Sequence, residues 1–166
     1  LLVSENKNLN NNFDTQFNLL ARNINTYGDL SGSYKEGEDF KLLGLGLFNI
    51  RYPLIKENVS DTKYLTPSAS FRYSPNKGIN LQEDSKVINF EDLFIIDRVN
   101  SKSVESGFSA TLGLEFKNEN SLAQEKFKLG MAINFRIDED DNLPKSTSLG
   151  QKTTDIIGYS GVNITE

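Results

Sequence analysis

Three segments of this chain carry two phenylalanines eight positions apart inside strand-like sequence: Phe40 and Phe48, Phe108 and Phe116, Phe127 and Phe135. Between the last two pairs, positions of the same parity hold Ala110, Leu112 and Leu114, and Leu129, Met131 and Ile133, while the opposite parity is polar or small. Eight residues of strand at about 3.3 Å each cover about 26 Å, or about 20 Å vertically at a barrel tilt, against an apolar band about 25 Å tall in outer-membrane barrels. The pattern predicts strands with one face in lipid and aromatic rings near both interfaces. On that reading Phe108, Leu112, Leu114, Phe116, Phe127, Leu129, Met131, Ile133 and Phe135 face lipid.

Composition narrows the alternatives. Hydrophobic residues make up 37% of the 166, and nowhere do about 20 apolar residues follow one another as a membrane helix requires. A barrel averages out as hydrophilic, because its strands alternate lipid-facing and lumen-facing residues. A net charge of −5 with dispersed Lys and Arg argues against nucleic-acid binding. The chain lacks cysteine, hence disulfides and thiolate metal sites, and lacks histidine, the commonest general base and metal ligand. It opens on Leu1 without a signal sequence and reads as a piece of a longer protein, all of 1–166 belonging to one barrel domain.

About six strands are expected from Phe13 onward, an all-β antiparallel transmembrane barrel segment that does not close by itself, since such barrels need at least eight. Residues 4–12 (SENKNLNNN) read as a loop. Phe13, Thr15, Phe17, Leu19 and Ala21 fit a strand, whereas Phe13, Phe17, Leu20 and Ile24 fit a helix face capped by Asn12; the strand is preferred. Residues 28–39 mark a turn, and a strand follows from Phe40 to Leu54. Its odd face carries Leu43, Leu45 and Leu47, which something apolar has to cover. After a charged turn, Leu65 to Ser74 alternates cleanly. A long loop of about 75–105 holds an apolar knot at Phe90 and Leu93 to Ile96; a hairpin of Phe108–Lys117 with Lys126–Ile137 and a second loop of about 138–153 come next. A last strand starts near Thr154.

Lys41, Arg51, Arg72, Lys126, Lys128 and Arg136 all share the lumen parity. They are candidates for contact with a phosphorylated saccharide or a plug, or are ordinary solvated lumen charges. Other patterns carry little chemistry. Asp138, Asp140 and Asn142 begin like a calcium loop, but Leu143 and Leu149 stand where glycine and glutamate belong, so a solvated acidic turn is expected. Gly44 and Gly46 lack the third glycine of a dinucleotide fingerprint and lie within a strand. Asn58-Val59-Ser60 and Asn163-Ile164-Thr165 match the glycosylation pattern, which short sequences meet by chance. With no nucleophile beside a base, no catalytic, metal or cofactor site is expected, and the chain reads as a non-enzyme.

Three ordered segments resemble a known family. They are LTPSASFRYSPN (65–76); QEDS (82–85) with FEDLFIIDRV (90–99) and VESGFSATLGLEFK (104–117); and NLPKSTSLGQKTTDIIG (142–158). They are similar to the barrel domain of the lipopolysaccharide-assembly protein LptD, the organic solvent tolerance (OstA) family, over about residues 40–166. The family's Ser-Pro-Asn corner corresponds to Ser74, Pro75 and Asn76, and its acidic-Ser element to Glu83, Asp84 and Ser85. Asp92, Leu93, Phe94 and Arg98 follow, then Gly113 with Leu114. The last signature corresponds to Leu143, Pro144, Ser146, Leu149, Thr154, Asp155, Ile156, Ile157 and Gly158. One departure is that Gly107 is followed by Phe108, Ser109 and Ala110, where members often carry an arginine.

The resemblance implies a bacterial outer-membrane barrel, in a Gram-negative-type cell, that inserts lipopolysaccharide into the outer leaflet. Its implied partners are a lumen-plugging lipoprotein of the LptE kind and a periplasmic bridge protein of the LptA kind, with no nucleic acid and no cofactor. A porin-like barrel and a soluble antiparallel sheet that binds a ligand are the alternatives, because alternation alone also fits one face of a soluble sheet.

Overall fold

A computed structural model, describing residues 1–9, 13–28, 37–100 and 102–163, gives one open antiparallel sheet and an all-β architecture. The strands are β1 (Leu2–Leu9), β2 (Phe13–Gly28), β3 (Gly37–Arg51), β4 (Leu54–Glu57), β5 (Asp61–Ser74), β6 (Gly107–Asn120), β7 (Glu125–Arg136) and β8 (Ile157–Val162). They lie in the order β1-β2-β3-β5-β6-β7-β8, with β4 paired beside β5. β2, β3, β5 and β6 run to 16, 15, 14 and 14 residues, against about five or six in ordinary domains.

Eight strands replace the expected six for two local reasons. Leu2 to Leu9 pairs with β2 through its backbone, opposite Leu20 to Phe13, although residues 4–8 are polar and lack a hydrophobic period of two. The segment expected as one strand from Phe40 to Leu54 is broken at Tyr52 and Pro53, because proline has no N–H to give the ladder. The Tyr52 N–H reaches the Pro67 carbonyl at 3.0 Å, and β4 resumes the same register against Thr62 to Leu65. The ambiguous segment at Phe13 is strand. The turn expected at 28–39 falls largely on 29–36, and the Asn163-Ile164-Thr165 pattern ends on 164–165, both outside the described residues.

Register fixes which side chains share a face. Phe48 sits opposite Phe17 and Phe71, Ala69 opposite Leu112, and Leu114 opposite Met131, so the phenylalanine-rich parity forms one continuous face. On the other face lie Leu43, Leu45, Leu47, Asn49, Arg72, Thr111, Asn134 and Arg136, all buried. What buries them is the chain itself. Residues 75–106 and 137–156, the two expected loops with the second running on to Ile156, fold back over this face.

The loops lock to each other as well as to the sheet. The Leu81 N–H donates to the Asn142 carbonyl at 2.7 Å and the Lys145 N–H to the Gln82 carbonyl at 3.3 Å. Ser146 Oγ accepts from the Lys86 N–H at 3.0 Å. Leu81, Ile88, Phe90, Leu93, Phe94 and Val99 of the first loop then share one core with Leu143 and Leu149 of the second and Ala132 of β7. Leu93 has no accessible surface. Leu93→Ala is therefore expected to cost about 2–5 kcal/mol, the range for emptying a packed leucine site, read from the denaturant midpoint by circular dichroism.

Candidate functional site

The covered face is held by polar groups that reach from the strands to the loop backbone. Asn49 Nδ2 donates to the Phe94 carbonyl at 2.8 Å, and Arg72 donates to the Ile96 carbonyl at 2.6 Å and also to the Ile95 carbonyl. Arg22 of β2 donates to the Ser103 carbonyl at 2.7 Å and pairs with Asp97 at 2.9 Å. Residues 94–103 are thus stitched in turn to β3, β5 and β2. Leu43 and Leu45 complete the seam against Val104 and Ile96, so the long loop is the apolar cover that the leucine run demanded.

Glu105 lies at the centre of the polar layer. Arg98 meets it with both Nε and Nη2, the latter at 2.7 Å, while Arg136 Nη1 lies 3.1 Å from its second oxygen. Arg98 also donates to Asn134 Oδ1 at 3.1 Å and Ser109 Oγ at 3.3 Å. Arg136 reaches the Ser106 carbonyl and lies 3.7 Å from Asp140, whose carboxylate accepts from the Ser106 N–H and hydroxyl at 2.9 and 2.8 Å. Burial alone would push the Glu105 carboxyl up, but the Arg98, Arg72 and Arg136 guanidiniums outweigh it and hold it down at about 2. This constellation is a clamp: one carboxylate joins a loop arginine to a strand arginine.

Each expected lumen-parity residue lies on the covered face or its extension, but they are not alike. Arg72 and Arg136 are consumed by loop contacts and present no open guanidinium to a ligand. Lys41 is half-buried at the loop end of β3. Toward the short turns, Arg51 lies 5.8 Å from the Phe94 ring centroid, Lys128 lies 5.6 Å from that of Tyr159, and Lys126 is exposed. Arg51, Lys126 and Lys128 thus lie at the short-turn end of this face, away from the Glu105 cluster.

The other face is bare. Leu112 is 51% exposed and Met131 45%, with Leu114, Leu129 and Phe135 also exposed and Phe108, Phe116, Phe127 and Ile133 half-buried by their neighbours. Phe116 and Phe127 meet at 6.0 Å between ring centroids, Phe71 and Phe108 at 6.4 Å. These residues form a contiguous apolar face, and a surface of that kind marks a site of contact with something apolar.

Of the loop-motif residues, Leu93, Phe94, Arg98, Leu143 and Pro144 are buried together in the loop core and clamp. Asp84 accepts from Asn100 at 3.1 Å, and Ser85 is exposed. The Asp155 N–H donates to Ser148 Oγ at 2.9 Å. Gly158 lies against Gly130, where a Cβ would stand 2.8 Å from the carbonyl oxygen. Gly113 has a packing role of the same kind, since a Cβ there would stand 2.6 Å from Phe94 Cζ. Gly113→Ala is expected to lift the loop, raising its protease sensitivity, at a cost of about 1–3 kcal/mol from overpacking.

Three site residues escaped the sequence reading. Arg22 sits in a stretch with no motif, and Glu105, though inside the segment 104–117, is not one of the positions that carry the resemblance there. Asp140 was expected in a solvated turn, yet it is 5% exposed because Arg136 and Ser106 draw it in. Among the described residues no group of His, Cys, Asp or Glu side chains has the arrangement of a metal site, and no helix is long and apolar enough to cross a membrane.

What the fold and site define is an open antiparallel sheet of long strands with one bare apolar face and one face sealed by its own loops. No protein-family model matches the chain, and no curated protein matches it either.

Proposed function

We propose that this chain is a run of staves from an outer-membrane β-barrel that delivers lipopolysaccharide to the outer leaflet, as its likeness to the LptD family implies. The observation that carries the reading is the pairing of a bare apolar face on long strands with an opposite face closed by loops. The bare face suits acyl chains, and rings near both ends suit the two interfaces. The loop closure favours an assembly barrel over a passive pore, because a conducting pore keeps its lumen wall wet. Leu93, Phe94, Leu143 and Leu149, from two separate segments of the resemblance, also share one core.

On this reading the short β6–β7 turn lies on the periplasmic side and the long loops lie outside. Lipopolysaccharide arrives from a bridge protein of the LptA kind, and a lipoprotein of the LptE kind fills the space next to the loops. Arg51, Lys126 and Lys128 line the way as cations for phosphorylated saccharide. Photocrosslinkers at positions 51 and 128 are expected to capture lipopolysaccharide in cells that make the protein, and a lipoprotein is expected to copurify. Ion conduction without any partner would instead identify a porin, and folding as a monomer without detergent a soluble module.

A further inference from the structure

The bare face is interrupted by a groove of about 600 Å³ over Gly44 and Gly46 of β3. Register explains its shape. Across the sheet, Val3, Leu19, Gly46, Tyr73 and Phe108 stand side by side, so a row of bulky side chains is broken by a position with none. Phe48, flanked by Phe17 and Phe71, closes the groove at the next row.

Neither glycine is required by the fold. Both have ordinary backbone angles, since the glycines with positive φ are Gly37 and Gly107. A Cβ at Gly46 would meet Leu19 Cδ2 at 3.6 Å, and one at Gly44 would meet Asn76 Oδ1 at 3.7 Å, both ordinary contacts. Gly113 and Gly130 differ, because the rings of Phe94 and Tyr159 occupy their space. Glycine inside a strand weakens it and often marks a close approach by a ligand. Here the empty space above the pair is what remains to account for it.

We infer that this groove holds one acyl chain of a membrane lipid, an inference that rests on the membrane reading above. Hydrocarbon is the occupant its surface allows. The Gly44 N–H already bonds Asn76 Oδ1 at 2.8 Å, and Gly46 lies in the β3–β5 ladder. Among the bare-face side chains lining the groove only Tyr73 carries a polar atom. A peptide strand or a sugar would find no partners for its polar groups. The floor, two alternate strand positions about 7 Å apart, is too short to seat the face of a helix. The groove also continues the apolar surface that lipid would cover.

The chain contains no tryptophan, so a single one reports cleanly. Tyr73→Trp at the groove wall and Leu129→Trp on the plain bare face are compared in bilayers of phospholipid brominated along the acyl chain. Stronger quenching at position 73 is expected, and Gly46→Leu, which fills the groove, should remove that excess and leave position 129 unchanged. Gly46→Ala should remove part of it, and serves if the leucine variant does not fold. Equal quenching at both sites, indifferent to position 46, overturns the groove and leaves the membrane reading intact. Emission at position 73 that follows protein concentration instead of bromine overturns it in favour of a second copy. Absence of quenching at both sites defeats the membrane reading and the groove with it.

Discussion

Glu105→Gln is expected to release the long loop from the sheet at a cost of about 3–5 kcal/mol, the range for removing one partner of a buried ion pair. The side-chain volume is kept, so the loss is electrostatic: Arg98, Arg72 and Arg136 stay buried without the carboxylate between them. Limited proteolysis should cut within 75–106 in the variant while the sheet persists. A loop as resistant as the native one would show that the apolar core alone holds it. Acid should mimic the substitution. Because the folded-state carboxyl lies at about 2, below its ordinary 4.5, its contribution is complete above about pH 4.5 and is lost as pH falls toward 2. Loop protection should fade across that window in the native chain and be flat across it in Glu105→Gln.

Met131→Arg and Leu112→Arg should each destabilise the protein in a bilayer by about 2–4 kcal/mol, against about 0–1 kcal/mol for Phe135→Arg. Positions 112 and 131 stand midway between the phenylalanines of their strands, which on the membrane reading is where hydrocarbon would be deepest, and Phe135 stands at the end of that span. Fractional exposure is similar at 131 and 135, 45% and 39%, so a water-facing sheet would tolerate arginine equally at both, within about 0.5 kcal/mol. Depth dependence is the signature of lipid. Denaturant refolding into lipid vesicles measures it, and equal small effects would overturn the membrane reading.

From β2 onward every strand but β4 was legible, because an alternating side-chain pattern repeats every two residues and is written locally. Phe108 to Phe116 against Phe127 to Phe135 is the clearest case: its bare face follows the pattern, while the register, with Phe135 opposite Ala110 and Phe116 opposite Leu129, does not align the phenylalanine ends. The leucine run at 43, 45 and 47 even announced a cover, though not how the cover is built. β1 was illegible because its polar residues 4–8 carry no hydrophobic period and its pairing runs through the backbone. β4 was hidden in the charged turn beyond Pro53.

The candidate site was readable only in outline. Arg72 and Arg136 fell on the right face, yet whether they meet ligand or loop depended on where residues 75–106 would lie. Local alternation thus determined which side of each long strand is apolar, and with it the all-β antiparallel class. Tertiary structure alone decided that the two loops interlock, that Glu105 joins Arg98 to Arg136, and that Asp140 is buried. The Glu105–Arg136 and Ser106–Asp140 contacts join segments about 30 residues apart with no periodic trace, since a charge is stabilised by whichever partner the fold brings near it.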